Sequence, residues 1–288
     1  MNNKVYYKRE KVNGIEIFYR EAGIRNVSVV ILFHGFPSAG HMFRNLIPIL
    51  AEKYHVIAPD YPGFGNSEIP DRNSFHYTFD HIAEIMEVFL TQLNICSFAM
   101  YVFDYGAPIG FRIAKRHPEW ITGIISQNGN IYQEGLGNKW TERAEYWKHP
   151  TEELRIKYMV AFAPETIKNQ YIRGTPKDSV APDGYSLDIF YMSRKGMDEI
   201  QSDLIFDYQS NVRLYPEFQR YLRKYKPPVL CVWGKNDVSF IPEGAKAFKK
   251  DIPDAVIKSV DSGHFALESH ADEIGNAILN FLDAEREK

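Results

Sequence analysis

Residues 98–110 constrain the fold of this chain more than any other stretch. They begin with Phe-Ala-Met-Tyr-Val-Phe, an apolar run whose aromatic and β-branched content predicts a fully buried strand. A single acid, Asp104, follows, then small residues at positions 106 and 107, and then an apolar-periodic segment over residues 111–117 that predicts a helix. Small residues let the backbone turn tightly and let strand and helix approach closely. The stretch therefore predicts a strand, a sharp turn that bears a carboxylate, and a helix.

Asp104 admits two interpretations. The predicted geometry is that of a nucleophile elbow, in which the serine of a Gly-x-Ser-x-Gly motif stands at the turn, and Asp104 occupies the position of that serine. The alternative is that Asp104 only caps the following helix, because aspartate is a favoured N-cap residue. The polar residues elsewhere in the chain favour the nucleophile.

Length and charge narrow the class of protein. The 288 residues suffice for one large core with an insertion. A net charge of −3, with no basic stripe, argues against a nucleic-acid partner. No apolar run approaches the roughly 18 residues that span a bilayer, and the first residues lack the apolar segment of a signal peptide. Cys96 and Cys231 lie in or beside apolar segments and are expected to be reduced and buried, so we expect a cytoplasmic protein with no membrane contact.

Strand and helix patterns alternate over residues 1–129 and again over residues 226–288, which predicts one core domain. Asn13-Gly14 lies between two β-type segments and is a hairpin signal. The predicted strands cover residues 5–11, 15–20, 28–33, 55–58, 98–103, 121–126, 229–233 and 255–260. The predicted helices cover residues 41–52, 80–93 with Asp80 as the N-cap, 111–117, 242–250, and 268 onward. Such alternation indicates an α/β fold with a mostly parallel sheet and right-handed crossovers.

Residues 130–225 break this alternation. Helical segments follow one another with no convincing strand between them, and Pro227-Pro228 ends the region. The segments are residues 139–148, 152–161, 164–171, 198–206 and 216–225. The pattern predicts a helical cap inserted into the sheet domain.

Polar residues follow several predicted strands directly. In open α/β sheets the functional site lies at the carboxyl ends of the strands. His34 follows the third predicted strand, Asp104 the fifth, Asn128 the sixth, Asp237 the seventh and His264 the eighth. Nucleophile, acid and histidine thus occur in the chain order of a hydrolase triad. Any one of them alone fits a turn or a helix start, but the three together favour a catalytic triad.

Five motifs carry a family resemblance. They are His-Gly-Phe-Pro (34–37), Pro-Gly-Phe-Gly-Asn-Ser (62–67), Val-Phe-Asp-Tyr-Gly-Ala (102–107), Trp-Gly-Lys-Asn-Asp (233–237) and Gly-His-Phe (263–265). In these motifs the sequence resembles the α/β-hydrolase superfamily, in the branch that holds epoxide hydrolases and haloalkane dehalogenases. The resemblance implies the α/β-hydrolase fold with eight strands, and an oxyanion hole formed by the backbone N–H groups of Phe36 and Tyr105.

An aspartate nucleophile limits the chemistry. A carboxylate is ionised at neutral pH and needs no base to activate it. Its attack on a carbonyl would give a mixed anhydride, which disfavours carboxylic ester hydrolysis. Its attack on a saturated carbon gives an alkyl ester, and His264, oriented by Asp237, would then activate the water that hydrolyses this ester.

The leaving group separates the two activities of the branch. Dehalogenases resembling this chain hold the halide with a Trp after the nucleophile and often an Asn in the first loop, but Tyr105 and Phe36 stand there. Trp147 or Trp140 in the cap remain candidate halide donors. An epoxide oxygen instead needs a proton donor, and Tyr208 matches the spacing of a cap tyrosine in epoxide hydrolases, although Gln209 replaces their arginine. A second tyrosine stays open among Tyr146, Tyr158, Tyr171, Tyr185 and Tyr191.

We therefore expect hydrolysis of an epoxide in a small apolar substrate, with Tyr208, His34 and Trp147 as substrate contacts. The alternatives are a haloalkane dehalogenase, which Val102 and an acid after the seventh strand also fit, a carboxylic ester hydrolase, and a non-catalytic ligand-binding relative. The histidine and glycine spacings predict no metal and no organic cofactor. The only expected partner is the small-molecule substrate, with the chain a monomer or a homodimer.

Overall fold

A computed structural model describes residues 4–286 and has one sheet of eight strands. The strands are β1 (Tyr6–Val12), β2 (Ile15–Ala22), β3 (Val29–Phe33), β4 (His55–Pro59), β5 (Phe98–Phe103), β6 (Ile121–Gln127), β7 (Val229–Gly234) and β8 (Val256–Val260). Their order across the sheet is β1-β2-β4-β3-β5-β6-β7-β8. Only β2 pairs antiparallel, with β1 and with β4, so the predicted mostly parallel sheet is confirmed.

The β1–β2 hairpin forms at the predicted turn. Asn13 and Gly14 have φ values of 50° and 89°, and Val12 pairs with Ile15 across them. A two-residue turn with positive φ at both positions matches the twist of the two strands, and Asn-Gly is the pair that adopts it most readily.

Ten helices accompany the sheet in the part of the chain described. They are α1 (Leu46–Leu50), α2 (Phe79–Gln92), α3 (Gly106–Arg116), α4 (Lys139–Lys148), α5 (Glu152–Tyr158), α6 (Pro164–Ile172), α7 (Pro182–Met192), α8 (Met197–Tyr225), α9 (Glu243–Ala247) and α10 (Ala266–Arg286), which is kinked at His270. Apolar residues of α1 and α10 pack on one face of the sheet, and those of α2, α3 and α9 pack on the other. The strands alternate between these layers, with Ile31 in one and Leu32 in the other.

Two predicted helices differ in detail. Thr78, not Asp80, is the N-cap of α2, and its hydroxyl accepts a hydrogen bond from the N–H of His81 at 3.2 Å. The helix predicted over residues 41–52 is a 3-10 turn at Gly40–Phe43 followed by the short α1. Pro48 explains the late start, because a proline has no N–H and is best accommodated in the first turn of a helix.

Helices α4 to α8 form an insertion between β6 and β7. Helix α7 was not predicted, and α8 is one helix of 29 residues where two were expected. Pro216 lies inside α8 without ending it, because buried side chains on both sides of it, among them Tyr208 and Phe218, hold the helix on the core. The helical insertion is therefore confirmed, while its limits at residues 130 and 225 stay a prediction.

Arg112 on α3 fixes α8 to the core. Its guanidinium is buried and donates hydrogen bonds to Oδ1 of Asn211 at 2.6 Å and to Oγ of Ser210 at 2.9 Å. The helix that follows Asp104 and the longest helix of the insertion are thus joined by a buried polar contact.

No helix within residues 4–286 has both the length and the hydropathy needed to cross a bilayer. Both cysteines are free thiols, but only Cys231 is buried. Cys96 is exposed, contrary to expectation, because it lies in the connection between α2 and β5 rather than in the strand.

Candidate active site

Asp104 occupies a sharp turn between β5 and α3. Its φ is 47°, in the left-handed region that aspartate tolerates better than most residues. The neighbouring backbone is too close for side chains, because a Cβ at Gly106 would lie 2.2 Å from the carbonyl oxygen of Phe33, and one at Gly35 would lie 2.4 Å from Cβ of Asp104. Glycine at both positions lets the turn form with Asp104 at its tip.

The carboxylate of Asp104 does not cap α3. Its Oδ1 accepts a hydrogen bond of 2.7 Å from the N–H of Phe36, in the loop after β3, and Tyr105 is the residue at the N-cap position of the helix. The capping interpretation is therefore wrong. Asp104 is held instead by one of the two backbone N–H groups expected to form the oxyanion hole.

His264 lies between two carboxylates. Its Nδ1 is 2.7 Å from Oδ2 of Asp237, and its Nε2 is 3.7 Å from Oδ2 of Asp104. Burial by itself lowers the pKa of His264, but the attraction of Asp237 and the contact with Asp104 outweigh burial and raise the pKa to about 9. The structure thus brings together the three predicted catalytic side chains, with the imidazole charged at neutral pH.

Asp237 is buried and fully bonded. Besides His264, it accepts hydrogen bonds from the N–H of Ser239 at 2.7 Å and from Nδ2 of Asn128 at 2.8 Å. Burial raises the pKa of a carboxyl group, but the charge of His264 and these hydrogen bonds more than offset it, so the pKa of Asp237 is lowered. Asp237 therefore stays ionised beside the imidazole.

Two residues that sequence reasoning did not assign hold this network in place. Asn128, with φ of 46°, also accepts the N–H of Gly234 at 3.0 Å, which ties β6 to the loop of Asp237. Gln127 donates from Nε2 to the carbonyl oxygen of His264 at 3.0 Å. The position of Asn128 after a strand was a usable signal, whereas nothing in the sequence marked Gln127.

His34 does not contact the cavity beside Asp104. It is fully buried, its Nδ1 lies 3.1 Å from the carbonyl oxygen of Gly35, and its Nε2 accepts the N–H of Tyr61 at 3.2 Å. Burial lowers the pKa of His34 to about 3, so the ring is neutral. Both ring nitrogens thus contact backbone groups of loops at the sheet edge, and a role of His34 as a substrate contact stays a prediction.

The indole N–H groups of both cap tryptophans already donate hydrogen bonds within the protein. Trp147 donates its N–H to the carbonyl oxygen of Ile205 at 3.2 Å, and Trp140 donates its N–H to that of Ser239 at 3.0 Å. The single N–H of Trp147 is therefore already used within the protein, and a role of this residue in substrate binding stays a prediction.

Tyr208 lies in an aromatic cluster beside the nucleophile turn. Its ring centroid is 4.4 Å from that of Trp140 and 5.9 Å from that of Tyr105, and its hydroxyl lies 3.4 Å from the hydroxyl of Tyr215. Burial raises the pKa of Tyr208 well above its ordinary value, so the phenol keeps its proton. Tyr208 is buried and, like His34, is not among the residues that line the cavity beside Asp104, so its placement serves packing and sets two neutral hydroxyl groups side by side.

Two cavities meet beside the triad. One, of about 250 Å³, is lined by Asp104 with Phe36 and Tyr105, and the other, of about 230 Å³, is lined by His264 and Asp237. Side chains of α4 and α6 and of the loop after β7 line both: Lys139, Thr166, Gln170 and Ser239. Within residues 4–286, no three His, Cys, Asp or Glu side chains are placed to hold a metal ion.

A strand–turn–helix nucleophile, an acid after β7 and a histidine after β8, on a mostly parallel sheet with a helical insertion, define an α/β hydrolase. A profile of the alpha/beta hydrolase fold matches residues 28–271, and the chain belongs to this family.

Several known proteins are similar along nearly the whole chain. An uncharacterized hydrolase of Saccharomyces cerevisiae is 44% identical over 282 residues, which is 96% of this chain and 97% of the relative. Haloalkane dehalogenase 2 of Mycobacterium tuberculosis is 25% identical over 265 residues, 87% of this chain and 86% of the relative. The crystal structure of a haloalkane dehalogenase from Bradyrhizobium elkani superimposes with a TM-score of 0.81 at 20% identity, covering 99% of each chain. The predicted resemblance to the branch with an aspartate nucleophile is confirmed.

Proposed function

We propose that this hydrolase acts at a saturated carbon and passes through a covalent alkyl ester on Asp104. The observation that carries the proposal is a carboxylate at the nucleophile turn, with Oδ1 bonded to the N–H of Phe36 and Oδ2 beside Nε2 of His264. A carboxylate in this position attacks without prior deprotonation. Ester hydrolysis through a serine acyl-enzyme is disfavoured, because no serine stands at the turn.

In the first step, Oδ2 of Asp104 forms a bond to the substrate carbon, and the bond from that carbon to the leaving group breaks. The carboxylate becomes a neutral ester and its negative charge disappears. His264 then loses one of the two charges that raise its pKa, so it releases its proton more readily.

In the second step, neutral His264 takes a proton from water as the water oxygen attacks the carboxyl carbon. The N–H groups of Phe36 and Tyr105 would stabilise the oxyanion that forms there. The tetrahedral intermediate then expels the alcohol oxygen, which takes the proton from His264. The second proton of the water passes from the new carboxyl group of Asp104 to His264, which restores both the carboxylate and the charged imidazole. Loss of the Asp104 charge thus makes His264 a base at the moment a base is needed.

For the leaving group we propose an epoxide oxygen. Both cap indoles donate to backbone carbonyl oxygens, which leaves neither N–H for a halide. The Tyr208–Tyr215 hydroxyl pair supplies a protonated phenol, which could give its proton to the alkoxide formed when the ring opens. The proton later released by His264 would restore that phenol.

A haloalkane is the second candidate, and the named relatives favour it. Dehalogenases occur among the proteins similar to this chain in sequence and in fold, whereas none of the relatives reported above is named for epoxide hydrolysis. The geometry favours the epoxide and the relatives favour the halide, so a direct test of the leaving group is needed.

Trapping the ester provides that test. In a His264→Gln variant, Asp104 should attack normally and the ester should persist, because no base activates water. Intact-protein mass spectrometry after incubation with epoxides, haloalkanes and activated esters reports the leaving group. An epoxide adds its full mass, and a haloalkane adds its mass less hydrogen halide. The matched control is the Asp104→Asn/His264→Gln double variant, which should take up no label, and an adduct on a serine or cysteine with Asp104 unmodified would contradict the mechanism.

We also propose a cytoplasmic location. Two thiols that form no disulfide are the supporting observation, since disulfides are rare in reducing compartments.

A further inference from the structure

Two cations on α4 face the cavity beside Asp104. Lys139 and Arg143 are four residues apart, which places them on the same side of the helix, and both line this cavity. Arg143 lies over the ring of Trp140, with its guanidinium carbon 4.6 Å from the ring centroid. Within residues 4–286, neither forms an ion pair or a side-chain hydrogen bond, although many other lysines and arginines in that part of the chain pair with carboxylates.

This arrangement opposes stability. Like charges at positions i and i+4 of a helix repel each other. Lys139 is exposed at the mouth of the cavity, yet the surrounding protein and the charge of Arg143 still lower the pKa of its ammonium. The carboxylates of Asp104 and Asp237 attract it, but His264 already pairs with both. Positive charge therefore exceeds negative charge around the cavity.

The remaining acid of the cavity wall does not remove this excess. Glu142 also lines the cavity, but its carboxylate lies 3.2 Å from Nζ of Lys157, on the outer side of the insertion. In the adjoining cavity, Arg173 of the segment after α6 adds a third cation, and Lys139 lines both spaces. Neutral donors, Thr166 and Gln170, complete the wall.

We infer that the natural substrate carries a carboxylate, which binds Lys139 and Arg143 while its reactive carbon lies at Asp104. The inference rests on the proposed function for the reactive end of the molecule, and it replaces the expectation of a wholly apolar substrate. An arginine and a lysine that converge on one space are suited to a carboxylate, because guanidinium binds it through two parallel hydrogen bonds. A cavity of about 250 Å³ favours a short chain between the two groups.

Binding of unreactive ligands tests the carboxylate site independently of the chemistry. Acetate, butyrate, hexanoate and octanoate are each compared by calorimetry with the primary amide of the same chain length. For at least one chain length, we expect the wild-type protein to bind the carboxylate about 10-fold or more tightly than its amide, the usual range for a hydrogen bond to a charged group. Added salt should reduce this preference, because the charges lie at a solvent-accessible mouth.

The Lys139→Gln/Arg143→Gln double variant should bind carboxylate and amide nearly equally, with amide affinity unchanged. Retained amide binding and an unchanged melting temperature show that the variant is folded. The matched control is Lys148→Gln, which removes a cation from the far end of α4 that pairs with Glu145, and it should keep the full preference. A preference that survives in the double variant, or a wild-type protein without one, overturns the inference.

The trapping experiment separates this inference from the proposed function. If His264→Gln forms esters on Asp104 but the wild-type protein does not prefer carboxylates, the mechanism stands and the carboxylate site is wrong. If the carboxylate preference is present and depends on Lys139 and Arg143, but no substrate labels Asp104, the site stands and the mechanism is wrong. The same comparison can be made kinetically with an epoxide that carries a carboxylate and with the corresponding amide. We expect the wild-type protein to show a lower KM for the carboxylate, with little difference in kcat.

Discussion

The N–H of Phe36 donates a hydrogen bond of 2.7 Å to Oδ1 of Asp104. The same N–H that positions the nucleophile is thus also the one expected to stabilise the oxyanion in the second step. In the resting protein the bond fixes one carboxylate oxygen and leaves the other beside His264. Once Asp104 is an ester, water attacks its carboxyl carbon, and the oxyanion develops on an oxygen of the same group. The donor is therefore in place before the charge forms, which is the arrangement that stabilises a transition state most.

Substitution of Asp104 should separate catalysis from stability. Asp104→Asn should abolish turnover, by roughly 10⁴-fold or more, because the amide is not a nucleophile. Its melting temperature should change little, since asparagine tolerates the positive φ of 47°. Asp104→Ala should be equally inactive and less stable, by about 1 kcal/mol, because alanine is strained there. Rates and thermal melts on the same preparations check this, and turnover retained by the asparagine variant would refute the assignment.

The raised pKa of His264 predicts a pH dependence of stability. Because its folded-state pKa of about 9 lies above the ordinary value of 6.5, its contribution is fully present below pH 6.5 and is lost as the pH rises through 9. The contribution should reach about 3 kcal/mol. Urea unfolding of the wild type and of His264→Gln should therefore give a stability difference that shrinks steadily between about pH 6.5 and about pH 9.5. A difference that stays constant across this window would mean that His264 is not charged in the folded protein.

The proposed role of Tyr208 and Tyr215 as proton donors to the epoxide oxygen can be tested by substitution. If their hydroxyl pair protonates the leaving oxygen, Tyr208→Phe should slow alkylation of Asp104 by epoxides about 10²–10⁴-fold, the usual contribution of a general acid. Phenylalanine keeps the ring and its packing against Trp140, so the fold should be unaffected. Stopped-flow measurement of the first turnover gives the rate, with a haloalkane as the control substrate, since a halide needs no proton. A near-normal rate with epoxides would leave the packing interpretation of Tyr208 in place.

Arg112 and Arg116, both on α3, allow the stability contribution of a buried arginine to be compared with that of a half-buried one. Arg112→Met should lower the free energy of unfolding by about 2–3 kcal/mol, because it leaves Asn211 without the charged donor that bonds it in the core. Arg116→Met removes a half-buried arginine whose partners, Asp80 and Glu87, lie at the surface, and it should cost less than about 1 kcal/mol. Chemical denaturation of the two variants measures the contrast. Equal losses would show that the contact between α3 and α8 contributes nothing specific.

The parts of the fold that depend on local sequence were predictable. Most strands have an apolar run of their own, the hairpin has Asn13-Gly14, and the triad residues follow strand ends in a recognisable order. Parallel strands bring their carboxyl ends to one edge, so Asp104, Asp237 and His264 were expected to meet there, and they do.

The parts that depend on contacts between distant residues were not predictable in this way. Trp147 and His34 looked available in the sequence, but Ile205 and Tyr61 engage them. Pro216 looked like the start of a new helix, and only packing against the core shows that α8 continues through it. Whether a polar group is free to act depends on its tertiary neighbours, and a single sequence does not specify them.

The bond between Arg112 and Asn211 also bears on how molecules reach the triad. It joins α8 to α3, and the backbone turn at Asp104 begins α3, so a swing of α8 away from the sheet would pull on the nucleophile itself. The cavity walls that remain belong mostly to α4, α5 and α6, which are short helices. We therefore expect α4, α5 and α6 to move when substrate enters and product leaves, while α8 stays in place. The orientation of the Asp104 carboxylate would then not change during this movement.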